Sequence, residues 1–167
     1  MKDYLLEIGT IPFNTDLRKK WKTGKLYEYW AAEYPQIFDD DDLRQARNQG
    51  PLGYHFFEWL TAIIIFHATG YLSLVSKYQF KIHERKQFVI NRIFPSGLPE
   101  IDRGSLDVGA TQYPDLFLYT DDFDNWFYCE VKGPGDRLSN RQKLVFSELA
   151  KVTGKPISII KCKALEL

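Results

Sequence analysis

The chain has 167 residues, of which 44% are hydrophobic, 26% charged and 16% aromatic, and its formal net charge is zero. That length suits one domain with a sizeable core, and that composition excludes bulk disorder. Zero net charge gives no sign of an anionic partner, and two cysteines, Cys129 and Cys162, are too few for a disulfide framework or a zinc site of their own. Both thiols lie in apolar runs, as expected of free cysteines in a reducing compartment. The N-terminal MKDYLLEIGT lacks the apolar run of a signal peptide, and the most apolar stretch, Trp59 to Phe66, is too short for a bilayer. A cytoplasmic protein with no membrane partner is the expectation.

In chain order, residues 1–50 read as a helical, aromatic-rich N-terminal extension packed on a core formed by residues 51–167. DLRKKWKTGKLYEYWAAEYP mixes helix formers with Gly24 and stops at Pro35. DDDDLRQARNQG reads as a helix with an acidic first turn and a glycine stop at Gly50. The acid–base clusters of both segments are expected to be solvated helix faces. GYHFFEWLTAIIIFHATGYL carries apolar residues almost all round, which predicts a central core helix between Gly53 and Gly70. Glu58 is its one acid. His55 and His67 are expected at the core or its rim.

Ser73 to Ile82 alternates like a strand, and KQFVINRIF fits either helix or strand. Residues 95–114, rich in glycine and proline, read as the loop with most freedom to move. Pro114 to Thr120 and Trp126 to Lys132 are two strands, and the short aspartate-rich connection between them predicts an antiparallel hairpin. Ser139 to Gly154 is an amphipathic helix opened by an S-x-x-Q capping box and closed by glycine. Pro156 to Ala164 is a final strand. The order of elements predicts an α/β fold with a mixed central sheet flanked by helices.

Charge is distributed unevenly. Lys77, Lys81, Arg85, Lys86 and Arg92 cluster before an acidic stretch that runs from Glu100 to Asp124, and basic residues dominate again after Glu130. An acidic site within a basic surface is what a metal-dependent nuclease needs, although solvated surface alone explains uneven charge equally well.

The chemistry concentrates in WFYCEVK. Side chains alternate along a strand, so Phe127, Cys129 and Val131 share an apolar face while Glu130 and Lys132 share the other, about 6.6 Å apart at Cα. Across the expected hairpin, Asp115 sits near Glu130. Two carboxylates, with the Val131 carbonyl as a further oxygen, suit a hard divalent cation such as Mg²⁺ or Mn²⁺. Lys132 beside them could orient a water or stabilise developing charge. A D…ExK spacing is common by chance, but GPGDRLSNRQ narrows it. The helix start at Ser139 offers amides to an anion, with Arg137, Arg141 and Lys143 beside it. Gln142 has a structural reason as the capping residue and a chemical one as a neighbour of the carboxylates, and the sequence leaves both open.

PDLFLY followed by YCEVKGPGDRLSNRQ resembles the signature of the VRR-NUC nucleases, a branch of the PD-(D/E)xK superfamily, over Tyr113 to Gln142 and more weakly to Lys161. The resemblance implies a PD-(D/E)xK core. It implies Asp115 as the metal-binding acid, Glu130 and Lys132 as the ExK pair, and Gln142 as the glutamine opening the next helix. An acid from the first core helix usually completes the family's site, and Glu58 is the candidate, with Gln49 as the alternative position. The glycine often found before the family's PD motif is replaced, since the chain reads QYPDL at that point, with Gln112 and Tyr113, and has Gly109 earlier.

The resemblance further implies a Mg²⁺- or Mn²⁺-dependent DNA endonuclease of stand-alone type, with Ser139, Arg137, Arg141 and Lys143 handling DNA. Rival expectations are a DNA-damaging toxin effector of a bacterial secretion system, delivered into a target cell and met by an immunity protein, and a non-catalytic nucleic-acid-binding module. A homodimer is a further expectation for a stand-alone enzyme.

Overall fold

A computed structural model of the chain describes residues 3–75, 77–80, 83–101 and 113–166. Five strands form one mixed sheet, ordered β1-β5-β4-β3-β2. They are β1 (Leu5–Phe13), β2 (Leu72–Val75), β3 (Leu116–Tyr119), β4 (Trp126–Lys132) and β5 (Ile157–Ala164). The β2-β3-β4 part is antiparallel, and β4-β5-β1 is parallel.

Helices cover both faces, which is why the strands are apolar on both sides. On one face, the alternating residues Leu116, Leu118, Cys129, Val131, Ile160 and Cys162 pack against α4 (Phe56–Thr69). On the other, Phe117, Tyr119, Tyr128 and Ile157 meet Val89 and Ile90 of α5 (Glu84–Ile93) and Val145, Phe146 and Leu149 of α6 (Asn140–Thr153). The apolar belt around α4 is accounted for by α1 (Thr15–Lys22), α2 (Lys25–Glu33) and α3 (Asp40–Gln49), which lie on its outer side. Their aromatic residues are core: Trp21 is fully buried and donates its indole N–H to the Tyr54 carbonyl at 2.9 Å, and Phe38 stacks on Trp59 at 3.8 Å between centroids.

The sequence-based expectation needs three corrections. The N-terminal extension is not wholly helical, because Leu5–Phe13 is an edge strand of the sheet. Its signal is scrambled by a bulge at Ile8. Leu5 and Glu7 pair with Ile157 and Ile159, but after the bulge Gly9, Ile11 and Phe13 pair with Ile160, Cys162 and Ala164. One inserted residue therefore moves the odd-numbered side chains from one face of the sheet to the other, and period-two alternation disappears from the sequence.

The strand expected from Ser73 to Ile82 ends at Val75. Lys77 takes a left-handed φ of 52°, which breaks the extended chain, and Tyr78–Phe80 forms a 3₁₀ turn whose Tyr78 hydroxyl donates to the Pro114 carbonyl at 2.7 Å. KQFVINRIF falls in a helix, α5. Its Lys86, Val89 and Ile90 share the buried side at helical spacing, and His83 caps its first turn by accepting from the Arg85 amide. Residues 102–112, most of the expected mobile loop and including Gly109 and Gln112, lie outside the described residues.

The acidic start of α3 is also not a solvated face. Asp39 caps the helix in a capping box with Asp42, and Asp39, Asp41 and Asp42 are all buried around Lys86, which is itself fully buried. The Lys86 ammonium lies 2.7 Å from Asp42, 3.1 Å from Asp41 and 3.7 Å from Asp39. Its sequence distance from α3 hid the partnership.

Candidate active site

The C-terminal end of β4 and the start of β3 meet at one end of the sheet, because the hairpin registers Leu116 opposite Cys129. One residue beyond that pair, the Glu130 side chain is bound to the Asp115 backbone, and the Asp115 side chain to the backbone of the residue after Glu130. The Asp115 amide donates to Glu130 Oε1 at 3.1 Å, and the Val131 amide donates to Asp115 Oδ2 at 2.9 Å. Val131 thus enters the site through its N–H, while its side chain anchors β4 in the core. Glu130 is 2% exposed, so its charge needs partners. Besides the Asp115 amide on Oε1, Lys132 Nζ lies 2.9 Å from Oε2, and the Gln142 amide nitrogen donates to the same oxygen at 2.8 Å.

Gln142 both caps its helix and touches Glu130. Its Oε1 accepts from the Ser139 amide at 3.1 Å, closing the capping box of α6, and also from Lys132 Nζ at 3.3 Å. One amide therefore starts the helix with its oxygen and holds Glu130 with its nitrogen. Gly133-Pro134-Gly135 makes this possible. A Cβ on Gly133 would stand 2.7 Å from the Phe57 ring, and Gly135 has a φ of +79°, so the chain can turn tightly between β4 and α6. Asp136 stabilises the turn by accepting from the Gly133 amide at 3.1 Å.

Glu58, in the first turn of α4, faces the same end of the sheet. It lines a cavity of about 170 Å³ together with Asp115, His55, Lys77 and Gln79. Burial above all, and then Glu130, pushes the Glu58 carboxyl up to about 7. Burial, with Glu130 and Glu58 as neighbours, lifts Asp115 well above the usual carboxylate range. Three carboxyl groups thus crowd a site in which Lys132 pairs with Glu130 and Lys77 lines the cavity. Gln49 is exposed at the end of α3, and its contact is a hydrogen bond with the His55 ring. His55 was expected at the core or its rim; it stands at the cavity with a left-handed φ of 73°, immediately before α4.

Of the residues expected to meet DNA, Ser139 caps α6, and Arg137 and Lys143 line a groove beside Lys132. Arg141 is half-buried in the first turn of α6. Sequence reasoning missed two features near the site: the contribution of His55, and Lys161, which β5 brings level with Lys132. The second was inaccessible without the parallel register of β4 and β5.

Among the described residues a second acidic group, Asp39, Asp41 and Asp42, has metal-like spacing. The Lys86 ammonium already occupies the position a cation would take there. Burial lifts Asp42 to about 7 against the pull of Lys86. Burial works against the charge of Lys86 too, but Asp42 and its neighbours still hold its pKa above the ordinary value. This is an ion network fastening α3 to α5.

A mixed five-stranded sheet between helices, with an aspartate before one strand and E-x-K at the end of its neighbour, defines a restriction-endonuclease-like PD-(D/E)xK core. The family model described as VRR-NUC domain matches residues 74–163, more than half of the chain, and the chain belongs to that family of nucleases. A crystal structure of paFAN1 bound to 2nt 5'flap DNA with gap is 25% identical to it, with a TM-score of 0.29, over 33% of this chain and 10% of that one. The chain thus spans about a tenth of the length of that protein. No curated protein matches it.

Proposed function

We propose that the chain is a metal-dependent DNA endonuclease of stand-alone VRR-NUC type, hydrolysing phosphodiester bonds at the Asp115–Glu130–Lys132 site. The observation that carries this reading is that backbone amides of the adjacent strand ends hold both carboxylates, Glu130 by the Asp115 amide and Asp115 by the Val131 amide, with Lys132 and Gln142 fixed on Glu130. The donor set fits a hard divalent cation. Asp115, Glu130 and Glu58 offer carboxylate oxygens, and burial together with mutual repulsion raises Asp115 and Glu58, a strain that a bound dication relieves. Mg²⁺ or Mn²⁺ held there would polarise the phosphodiester and lower the pKa of a bound water.

The chain's own groups supply the rest. Lys132 donates hydrogen bonds from an ammonium pinned between Glu130 and Gln142, and so can meet a phosphate oxygen or the attacking water without first ordering its side chain. Gln142 holds Glu130 in one rotamer. The amides at the start of α6, with Arg137, Arg141 and Lys143, favour the anionic DNA backbone.

The test is cleavage of labelled duplex, flap, junction and single-stranded DNA with Mg²⁺ and with Mn²⁺. Wild type should cut, and Asp115→Ala, Glu130→Ala and Lys132→Ala should each abolish cutting while keeping a wild-type circular dichroism spectrum. Cutting by all three variants in Mn²⁺ refutes the assignment, and no cutting by wild type on any DNA leaves the non-catalytic binding module as the reading. Death of cells on expression, lost in Lys132→Ala, would favour the toxin role over repair.

A further inference from the structure

Beside Lys132, the sheet carries a groove of about 400 Å³, within the size range of small-molecule sites, roughly 300–1,000 Å³. Register explains its composition. Lys132 of β4 lies level with Lys161 of β5, and Glu130 lies level with Ile159. Residues level on adjacent strands point to the same face about 4.8 Å apart, so two lysines stand side by side with an apolar Ile159 next to them. Like charges so placed destabilise a sheet unless an anion lies between them. Leu5 of β1 extends the apolar floor, and Arg137 and Lys143 from the α6 side add positive charge to a rim that also holds Asp136, whose carboxylate accepts from the Gly133 amide.

Glu130 already pairs with Lys132 at 2.9 Å, but the counter-ion of Lys161 is weakly held. Glu7 reaches Lys161 at 2.8 Å, but the side chains are 68% and 50% exposed, and such surface pairs contribute little. A phosphate can therefore displace Glu7. The bulge at Ile8 is what leaves Leu5 and Glu7 towards the groove while Ile11 and Phe13, beyond it, serve the core on the opposite face.

We propose that this groove is a nucleotide subsite for the substrate strand. It would take the nucleoside next to the phosphate held at Lys132, laid on Ile159 and Leu5, with the following phosphate on Lys161 and Lys143. The inference rests on the nuclease reading of the Lys132 site and goes beyond it, because β1 lies outside the matched residues 74–163 and builds one wall of the groove.

The test is calorimetric binding of thymidine 3′,5′-bisphosphate to the full chain in Ca²⁺, with pyrophosphate as the comparison. Wild type should bind the bisphosphate more tightly than pyrophosphate. Lys161→Ala should weaken the bisphosphate about fivefold, Lys161→Arg should retain it, and Glu7→Gln should tighten it about twofold. Equal affinity in wild type and Lys161→Ala, equal binding of both probes, or no binding by wild type would each overturn the subsite. DNA cleavage is read separately. A chain that cuts DNA but shows no Lys161 effect loses the subsite alone, and a chain that binds the bisphosphate through Lys161 but cuts nothing loses the nuclease reading alone.

Discussion

Replacing Lys86 by methionine keeps most of the buried stem and removes only the ammonium. In the wild type that ammonium is shared by Asp42, Asp41 and Asp39 within 3.7 Å, and neither it nor Asp42 touches solvent appreciably. Removing one partner of a buried ion pair costs about 3–5 kcal/mol, because the carboxylates stay buried without their cation. The carboxylates can escape part of that penalty by taking up protons. Asp42, already near 7, does so readily, but Asp41 lies below its ordinary pKa in the wild type. Neutralising a carboxyl of ordinary pKa at pH 7 spans about three pH units at about 1.4 kcal/mol each, or about 4 kcal/mol, in agreement with the first figure. For a domain of this size the melting temperature should fall by about 6–20 °C. The assay is urea unfolding of wild type and Lys86→Met at pH 7 and pH 5. The variant's native state binds more protons than the wild type's, so the difference should shrink at pH 5. Adding Asp42→Asn to Lys86→Met should restore part of the loss. A difference below about 1 kcal/mol at pH 7, or one that does not shrink in acid, refutes the view that Lys86 holds α3 on the core.

Asp115→Asn keeps an acceptor for the Val131 amide but removes a crowded charge, so metal-free protein should become more stable, by about 1 kcal/mol, while cleavage is lost; a less stable variant in urea denies the repulsion. Glu58 carries a folded pKa raised to about 7, so its contribution to stability is fully present below its unfolded pKa, near 4.3, and is lost as pH rises through 7. Metal-free wild type should therefore weaken from pH 5 to pH 8 more steeply than Glu58→Gln in thermal melts, and parallel profiles would contradict this. Gln142→Ala removes the α6 cap and the brace on Glu130 together, so it should lower the melting temperature by a few degrees, for about 1 kcal/mol, and slow cleavage more than Ser139→Ala, which removes only the cap. Deleting Ile8 leaves the residues on either side already in register with β5, so a cooperative melt should persist; an unfolded product would disprove the bulge.

The hairpin and its chemistry were legible because each signal is local. Alternation in WFYCEVK assigns Glu130 and Lys132 to one face, a short polar turn brings Asp115 beside them, and S-x-x-Q marks the start of α6. What escaped the sequence depends on pairings between distant segments. The bulge at Ile8 erased the alternation of β1, the left-handed Lys77 cut β2 short inside a run that still looked extended, and the α3 aspartates read as solvent-facing until α5 supplied Lys86. The double use of Gln142 lies between these cases. Its cap is written in three residues of spacing, and its bond to Glu130 exists only because Gly133 and Gly135 fold the helix start back over the strand.

The parallel pairing of β1 with β5 has a consequence in time. The first strand of the sheet has no neighbour until the last one has been made, so during synthesis β1 waits as an open edge while the β2-β3-β4 meander can already form from near neighbours. Pairings between such distant segments form slowly and leave a strand open to the wrong partner meanwhile. A stalled or shortened chain can thus bring Asp115 and Glu130 together and still lack Ile159 and Lys161. The carboxylates come early, and the surface that would receive the rest of a substrate strand comes last.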